Sequence, residues 1–160
     1  MTKAVLFALV LTACVDARAE SPTSMEESIQ IMKASASDGP VIASFSKHAA
    51  AGNIDALVST LDPVARKQAG DAAVRTLIQT EVIPFFAGVK AVDTYETIAR
   101  AALPDGRIGR IHYTYVETTA GKLKPIAIAL VGDDGRLSVV YVNVGQCVPG
   151  RHPSSKGRCD

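Results

Sequence analysis

Apolar and polar positions follow two different rhythms along this chain. From about Val92 to Val144 apolar residues recur at every second position or fill whole segments. That is the period of β-strands, whose side chains point alternately to opposite faces. Four strands are expected: Val92 to Leu103, Ile108 to Thr118, Leu123 to Val131 and Leu137 to Val144. Gly-bearing turns separate them at Pro104-Asp105-Gly106-Arg107, Thr119-Ala120-Gly121-Lys122 and Asp133-Asp134-Gly135-Arg136. Asp-Gly pairs between apolar runs are strong hairpin signals. The second strand alternates Ile111, Tyr113 and Tyr115 with Arg110, His112 and Thr114. This predicts one apolar face and one wet face. The third and fourth strands are almost wholly apolar, as strands covered on both faces are. Pro125 cannot donate to a ladder and belongs at a strand end or an edge.

Before Val92 the apolar positions recur at helical spacing. Asp38-Gly39-Pro40 predicts the start of a first helix, since proline suits the first helical turn. Val41, Ile42, Phe45 and Ala49 form its apolar stripe, and Gly52 stops it. Asn53 or Asp55 opens a second helix with Ile54, Leu57, Val58 and Leu61 on one face, and Asp62-Pro63 interrupts it. Asp71 caps a third, carrying Val74, Leu77, Ile78 and Val82. Pro84 ends or bends that helix, leaving Pro84-Phe85-Phe86-Ala87-Gly88 as an apolar corner. Helices followed by an antiparallel meander give an α+β class.

The first residues read as an address. Met1-Thr2-Lys3 is a basic lead, and Ala4 to Ala13 is an apolar run of ten residues. Ten is far short of the roughly 20 needed to span a membrane. A charged lead, a short apolar core and small residues after it describe an export signal. Two cleavage sites are written there. Ala17-Arg18-Ala19 fits ordinary signal peptidase and gives a soluble periplasmic product. Leu11-Thr12-Ala13-Cys14 resembles the lipobox of bacterial lipoproteins, and Cys14, directly at the end of the apolar core, favours it. That resemblance implies lipidation of Cys14 and, with Val15 rather than Asp next, an outer-membrane anchor. Residues 1–13 are then signal and 14–37 a tether. Ser21-Pro22-Thr23-Ser24 has the composition of a tether, and Ser24 with Glu27 resembles a capping box before a short helix. Residues 38–146 are the domain and 147–160 a basic tail.

Composition adds little chemistry. The chain has 17 Lys+Arg against 16 Asp+Glu, and cleavage before Cys14 removes only Lys3, leaving 16 of each. A neutral domain without tryptophan carries no electrostatic footprint for nucleic acid. With Cys14 lipidated, Cys147 and Cys159 remain as a pair, and an oxidising compartment lets them form a disulfide. It would close a short loop and add roughly 3 kcal/mol on the loop-entropy model. The alternatives are two free thiols or a metal pair. Only His152 lies nearby, and no CxxC spacing supports metal.

The stretch from Phe45 through Gly52-Asn53-Ile54-Asp55-Ala56-Leu57, then long hairpins after Pro84-Phe85-Phe86, resembles the NTF2-like (SnoaL-like, cystatin-like) superfamily over about Pro40 to Val144. The resemblance implies helices covering the concave face of a bent, four-stranded antiparallel sheet. Its catalytic members use a His, Asp or Tyr inside that cone. The candidates of that kind are His112 and Arg110, with Glu96, Tyr141 and Asn143. An acid–base pair of His112 with Glu96 or Tyr141 needs a shared face and hydrogen-bond reach. The competing reading makes Arg110, His112 and Thr114 a solvated face. No nucleophile elbow, metal-binding helix or phosphate loop is present, and no cofactor or metal is expected. His48 complements the dipole at a helix end. Arg151, His152, Lys156 and Arg158 make the tail basic.

Three functions from different classes are compatible with these features. The favoured one is a non-catalytic periplasmic lipoprotein that binds a protein partner, as an inhibitor or immunity protein against a toxin or cell-wall hydrolase. Its candidate surface is Arg110, His112, Tyr141, Asn143, Arg151, Lys156 and Arg158, and a homodimer is compatible with it. The second is a small-ligand binder, which needs an enclosed apolar pocket of several hundred Å³. The third is an enzyme of the isomerase or dehydratase type, which needs His112 in such a pocket.

Overall fold

In the computed structural model, the described residues are 25–92, 97–103, 106–132, 136–148 and 152. The lipobox, Glu96, Arg151, Lys156, Arg158 and Cys159 lie outside them. The fold is α+β, with the helices first and an antiparallel sheet after.

Helix α1 runs from Met25 to Ala50 and does not begin at Pro40. Pro40 sits inside it, so no N–H from that position reaches the carbonyl of Ala36. Asp38, Ile42, Phe45 and Ala49 are all fully or almost fully buried. Their spacing of four, three and four makes one face of a helix. The buried stripe therefore includes an aspartate. At the C-terminus Gly52 takes φ +67°. Its N–H bonds to Ala49 O and the N–H of Asn53 to His48 O. These two bonds form a Schellman motif, which needs the left-handed conformation glycine adopts freely.

Helix α2 (Ile54–Thr60) is capped by Asn53, whose side chain accepts from the N–H of Ala56. The expected break at Asp62-Pro63 is there, with α2 ending at Thr60, and it is also a helix start. Asp62 caps α3 (Pro63–Ala69), with proline in the first turn. Helix α4 (Asp71–Leu77) comes next, with Gly70 rather than Asp71 in the cap position. It passes through a π-turn at Ile78–Val82 into α5 (Ile83–Phe86). Pro84 lies just past the π-turn. There the wider turn keeps the chain helical although one N–H is missing.

The sheet contains β1 (Val89–Val92), β2 (Thr97–Ala102), β3 (Ile108–Thr118), β4 (Leu123–Val131) and β5 (Ser138–Val144). The expected first strand is thus two, β1 and β2, both antiparallel to β3. Val92 pairs with Val116 and Thr97 with Tyr113, so the register shifts by two between them. From β3 the order continues through β4 to β5, all antiparallel.

The helices cover one face of this sheet. Ile42, Phe45, Leu57, Val74, Ile78 and Phe86 pack against Val116, Ile126, Ile128, Leu130 and Val139. Phe45 and Phe86 meet edge to face with ring centres 6.2 Å apart. The opposite face is also buried, and Ile111, Tyr113, Ala127, Ala129 and Tyr141 form a second cluster with Val148 against it. Removing the Phe45 ring takes the central contact out of the first cluster. Phe45→Ala should lower the unfolding free energy by about 3–5 kcal/mol. The check is a lower urea midpoint at unchanged slope, and an unchanged midpoint would contradict this packing of α1.

Candidate functional site

The β3 register places Arg110, His112 and Thr114 on one face, paired with Leu130, Ile128 and Ile126 of β4. That face lies beneath the helices. His112 is 0% exposed and Thr114 3%. The wet face expected from the alternation does not exist. The alternation itself holds, but the cover over it comes from α1.

What allows a histidine and an arginine there is Asp38. Its carboxylate is wholly buried. Arg110 donates from Nε to Oδ2 at 2.8 Å and from Nη2 to Oδ1 at 2.6 Å. This two-pronged geometry suits a guanidinium and a carboxylate. His112 brings Nε2 to 2.7 Å from Oδ2. Ser37 donates its hydroxyl to Oδ1 at 3.3 Å. Burial pushes the Asp38 pKa up, but hydrogen bonds from His112 and Arg110 outweigh it and hold the pKa at about 2. An ionised carboxylate only accepts, so Nε2 of His112 carries the proton of that bond. Across the sheet, Arg100 of β2 stands directly opposite Arg110. Like charges in that arrangement repel, and Asp38 supplies the compensating charge.

A second carboxylate–guanidinium pair lies at the end of the sheet. Asp62 accepts from Arg107 Nη1 at 3.0 Å and Nη2 at 2.8 Å while also capping α3. Its backbone N–H reaches Val139 O at 2.8 Å. Its pKa lies below the usual carboxylate range, chiefly through the Arg107 hydrogen bonds. These bonds tie the α2–α3 corner to the loop before β3 and to the start of β5.

Tyr141 and Asn143 stand on the other face. Tyr141 pairs with Ala129 and Asn143 with Ala127, on the side of Ile111 and Tyr113. The acid–base pair of His112 with Tyr141 is therefore ruled out by register, since the two side chains leave the sheet in opposite directions. On that face His152 lies against Tyr113 and Tyr115, each with ring centres 5.5 Å away. Its Nδ1 accepts from the N–H of Val148 at 3.0 Å. That leaves the proton on Nε2, which donates to Ile126 O at 3.1 Å. A neutral imidazole satisfies both bonds, and burial pushes its pKa down. Cys147, just before this segment, is disulfide-bonded, while the expected partner Cys159 lies outside the described residues.

The site thus gathers Arg110 and His112 with an aspartate that stood in the sequence as part of a helix boundary. It separates them from Tyr141 and Asn143. An apolar crevice of about 30 Å³ lies between Phe45, Leu61 and the helix α4 side of β5. That is water-sized, and none of Asp38, Arg110 or His112 lines it. Among the described residues no cluster of His, Cys, Asp or Glu could hold a metal ion. No helix among them is long and apolar enough to cross a membrane. No family model, curated protein or solved structure matches the chain.

Two pH dependences result. Asp38 has its folded pKa depressed to about 2 from 3.8. Its contribution, about 2 kcal/mol by linkage, is complete above the unfolded value and lost as pH falls through the folded one. Asp38→Asn should remove that acid-sensitive step and cost about 3–5 kcal/mol at neutral pH, because Arg110 is left without its counter-charge. Urea unfolding at neutral and acidic pH measures both. For His152 the folded pKa is below 6.5. Its stabilisation is present above that value and fades as pH falls through the lower folded one. The near-UV tyrosine signal should change there with the far-UV signal constant, and His152→Leu should lack the step.

Proposed function

We propose that this chain is a non-catalytic, NTF2-like periplasmic lipoprotein that binds a protein partner, acting as an inhibitor or immunity protein against a toxin or cell-wall hydrolase. The observation that carries the proposal is the use to which the polar residues of β3 are put. Arg110 and His112 are held by Asp38 inside the fold. A general acid or base must reach a substrate proton, and an imidazole with no exposed surface, outside the crevice, does not. The water-sized crevice also weighs against a ligand pocket of several hundred Å³. What the molecule offers a partner is its outside. Helices before an antiparallel sheet support the NTF2-like reading, and Leu11-Thr12-Ala13-Cys14 supports the lipid anchor.

Two experiments test the proposal separately. Metabolic labelling with a palmitate analogue should mark the wild-type chain and fail with Cys14→Ser; equal labelling of both sinks the anchor. For the partner, the purified protein is titrated against a panel of peptidoglycan-cleaving muramidases, amidases and endopeptidases. Loss of activity of one of them at equimolar ratio is expected. Full activity of all of them, with no complex on gel filtration, removes the hydrolase-inhibitor reading.

A further inference from the structure

Helix α1 carries two apolar stripes, and they lie on different faces. It docks on the sheet through Asp38, Ile42, Phe45 and Ala49, all buried. Nearer its start, Met25, Ile29 and Met32 recur at steps of four and three and are 77%, 41% and 63% exposed. An α-helix turns by about 100° per residue, so the centre of the exposed stripe lies about 140° round the helix from the centre of the buried one. It faces away from the sheet, and the core that seals Phe45 does not reach it.

The rest of the chain has little to cover this stripe with. After Ala13, the stretches outside the described residues are 14–24, 93–96, 104–105, 133–135, 149–151 and 153–160. Their large apolar side chains are Val15 and Tyr95 alone. A second copy or a freely diffusing protein is a poor fit as well. Three side chains fall far short of the roughly 800 Å² per partner that a stable protein interface buries. A surface to which the chain is already fixed needs much less, because a tether makes the second contact intramolecular. Such a surface follows from the lipobox reading of Leu11-Thr12-Ala13-Cys14, on which this inference rests. Met25 stands eleven positions after Cys14. Even fully extended, that length holds Met25 within about 40 Å of a lipidated Cys14.

We propose that Met25, Ile29 and Met32 seat the start of α1 on the bilayer that holds Cys14. The helix axis lies in the plane of the interface, with the three side chains among the upper acyl carbons. Glu26 and Glu27 in the first turn give no attraction to an anionic surface, so the contact is apolar and insensitive to salt. The sheet, on the other side of α1, then faces away from the lipid.

The chain has no tryptophan, so a single introduced one reports its own surroundings. The protein from residue 14 onward, with Cys14→Ser and an N-terminal hexahistidine tag, is fixed to phosphatidylcholine vesicles through a nickel-chelating lipid. The chelate stands in for the acyl chains, so the outcome does not depend on acylation of Cys14, which palmitate labelling decides by itself. Emission from Met32→Trp should shift to the blue on tethering and be quenched by brominated acyl chains, with or without added salt. Val64→Trp, exposed on α3, should do neither. Met25→Ser with Ile29→Ser should abolish the Met32→Trp shift at an unchanged far-UV spectrum. Emission from Met32→Trp that keeps its solvent value on the vesicles overturns the proposal. So does a shift shared by Val64→Trp, which marks indiscriminate adsorption. A shift that grows with protein concentration in the absence of vesicles also overturns it, because a second copy then covers the stripe.

Discussion

The Asp38 carboxylate, buried in the apolar stripe of α1, is the constraint on which the arrangement of helix and sheet turns. A lone carboxylate in that position would be prohibitively costly. It becomes tolerable because β3 delivers a guanidinium and an imidazole to its two oxygens. Such a buried cluster is not a large source of net stability, since well-packed apolar residues of the same volume often do as well. What it adds is a single permitted docking. Slide α1 by one turn and Ile42 faces Arg110, leaving both charges buried and apart. The apolar contacts of Ile42, Phe45 and Ala49 would tolerate such a slip far better. The Asp62–Arg107 pair fixes the far end of the helical layer to the sheet in the same way.

The same carboxylate explains how much of the molecule is legible in its sequence. The strand rhythm, the Gly121 turn and the class are legible, because a period of two or 3.6 survives in one sequence. Asp38-Gly39-Pro40 misleads for a physical reason. All three residues disfavour helix interiors, so together they look like a boundary. Yet the spacing from Asp38 through Ile42 and Phe45 to Ala49 is that of one helix face. Admitting an acid to that stripe requires knowing that a base waits opposite, and Arg110 is 72 residues away. Polar alternation on β3 misleads in a related way. It gives the face of a side chain but not whether another element covers that face. The helix at Pro63 stays hidden because Asp62-Pro63 marks a break and leaves open whether a helix or a strand lies beyond it.

The second face of the sheet is core as well. His152 is held neutral by one donor and one acceptor and lies against two tyrosine rings. A histidine in that state acts as a flat, hydrogen-bonded piece of core. Among the described residues, β3 and β4 are therefore packed on both sides.

Strands packed on both faces leave the rims of the sheet and the helical surface as the parts that meet solvent. At a rim the backbone itself is the recognition element, and side-chain charge decides what can approach. The two rims of this sheet differ in that respect. One carries Lys90 and Arg100, and the other is uncharged and flanked by half-covered valines. On the first, like charge would oppose the approach of another basic strand. On the second, charge sets no such barrier, and shape and backbone pairing are what remain to discriminate.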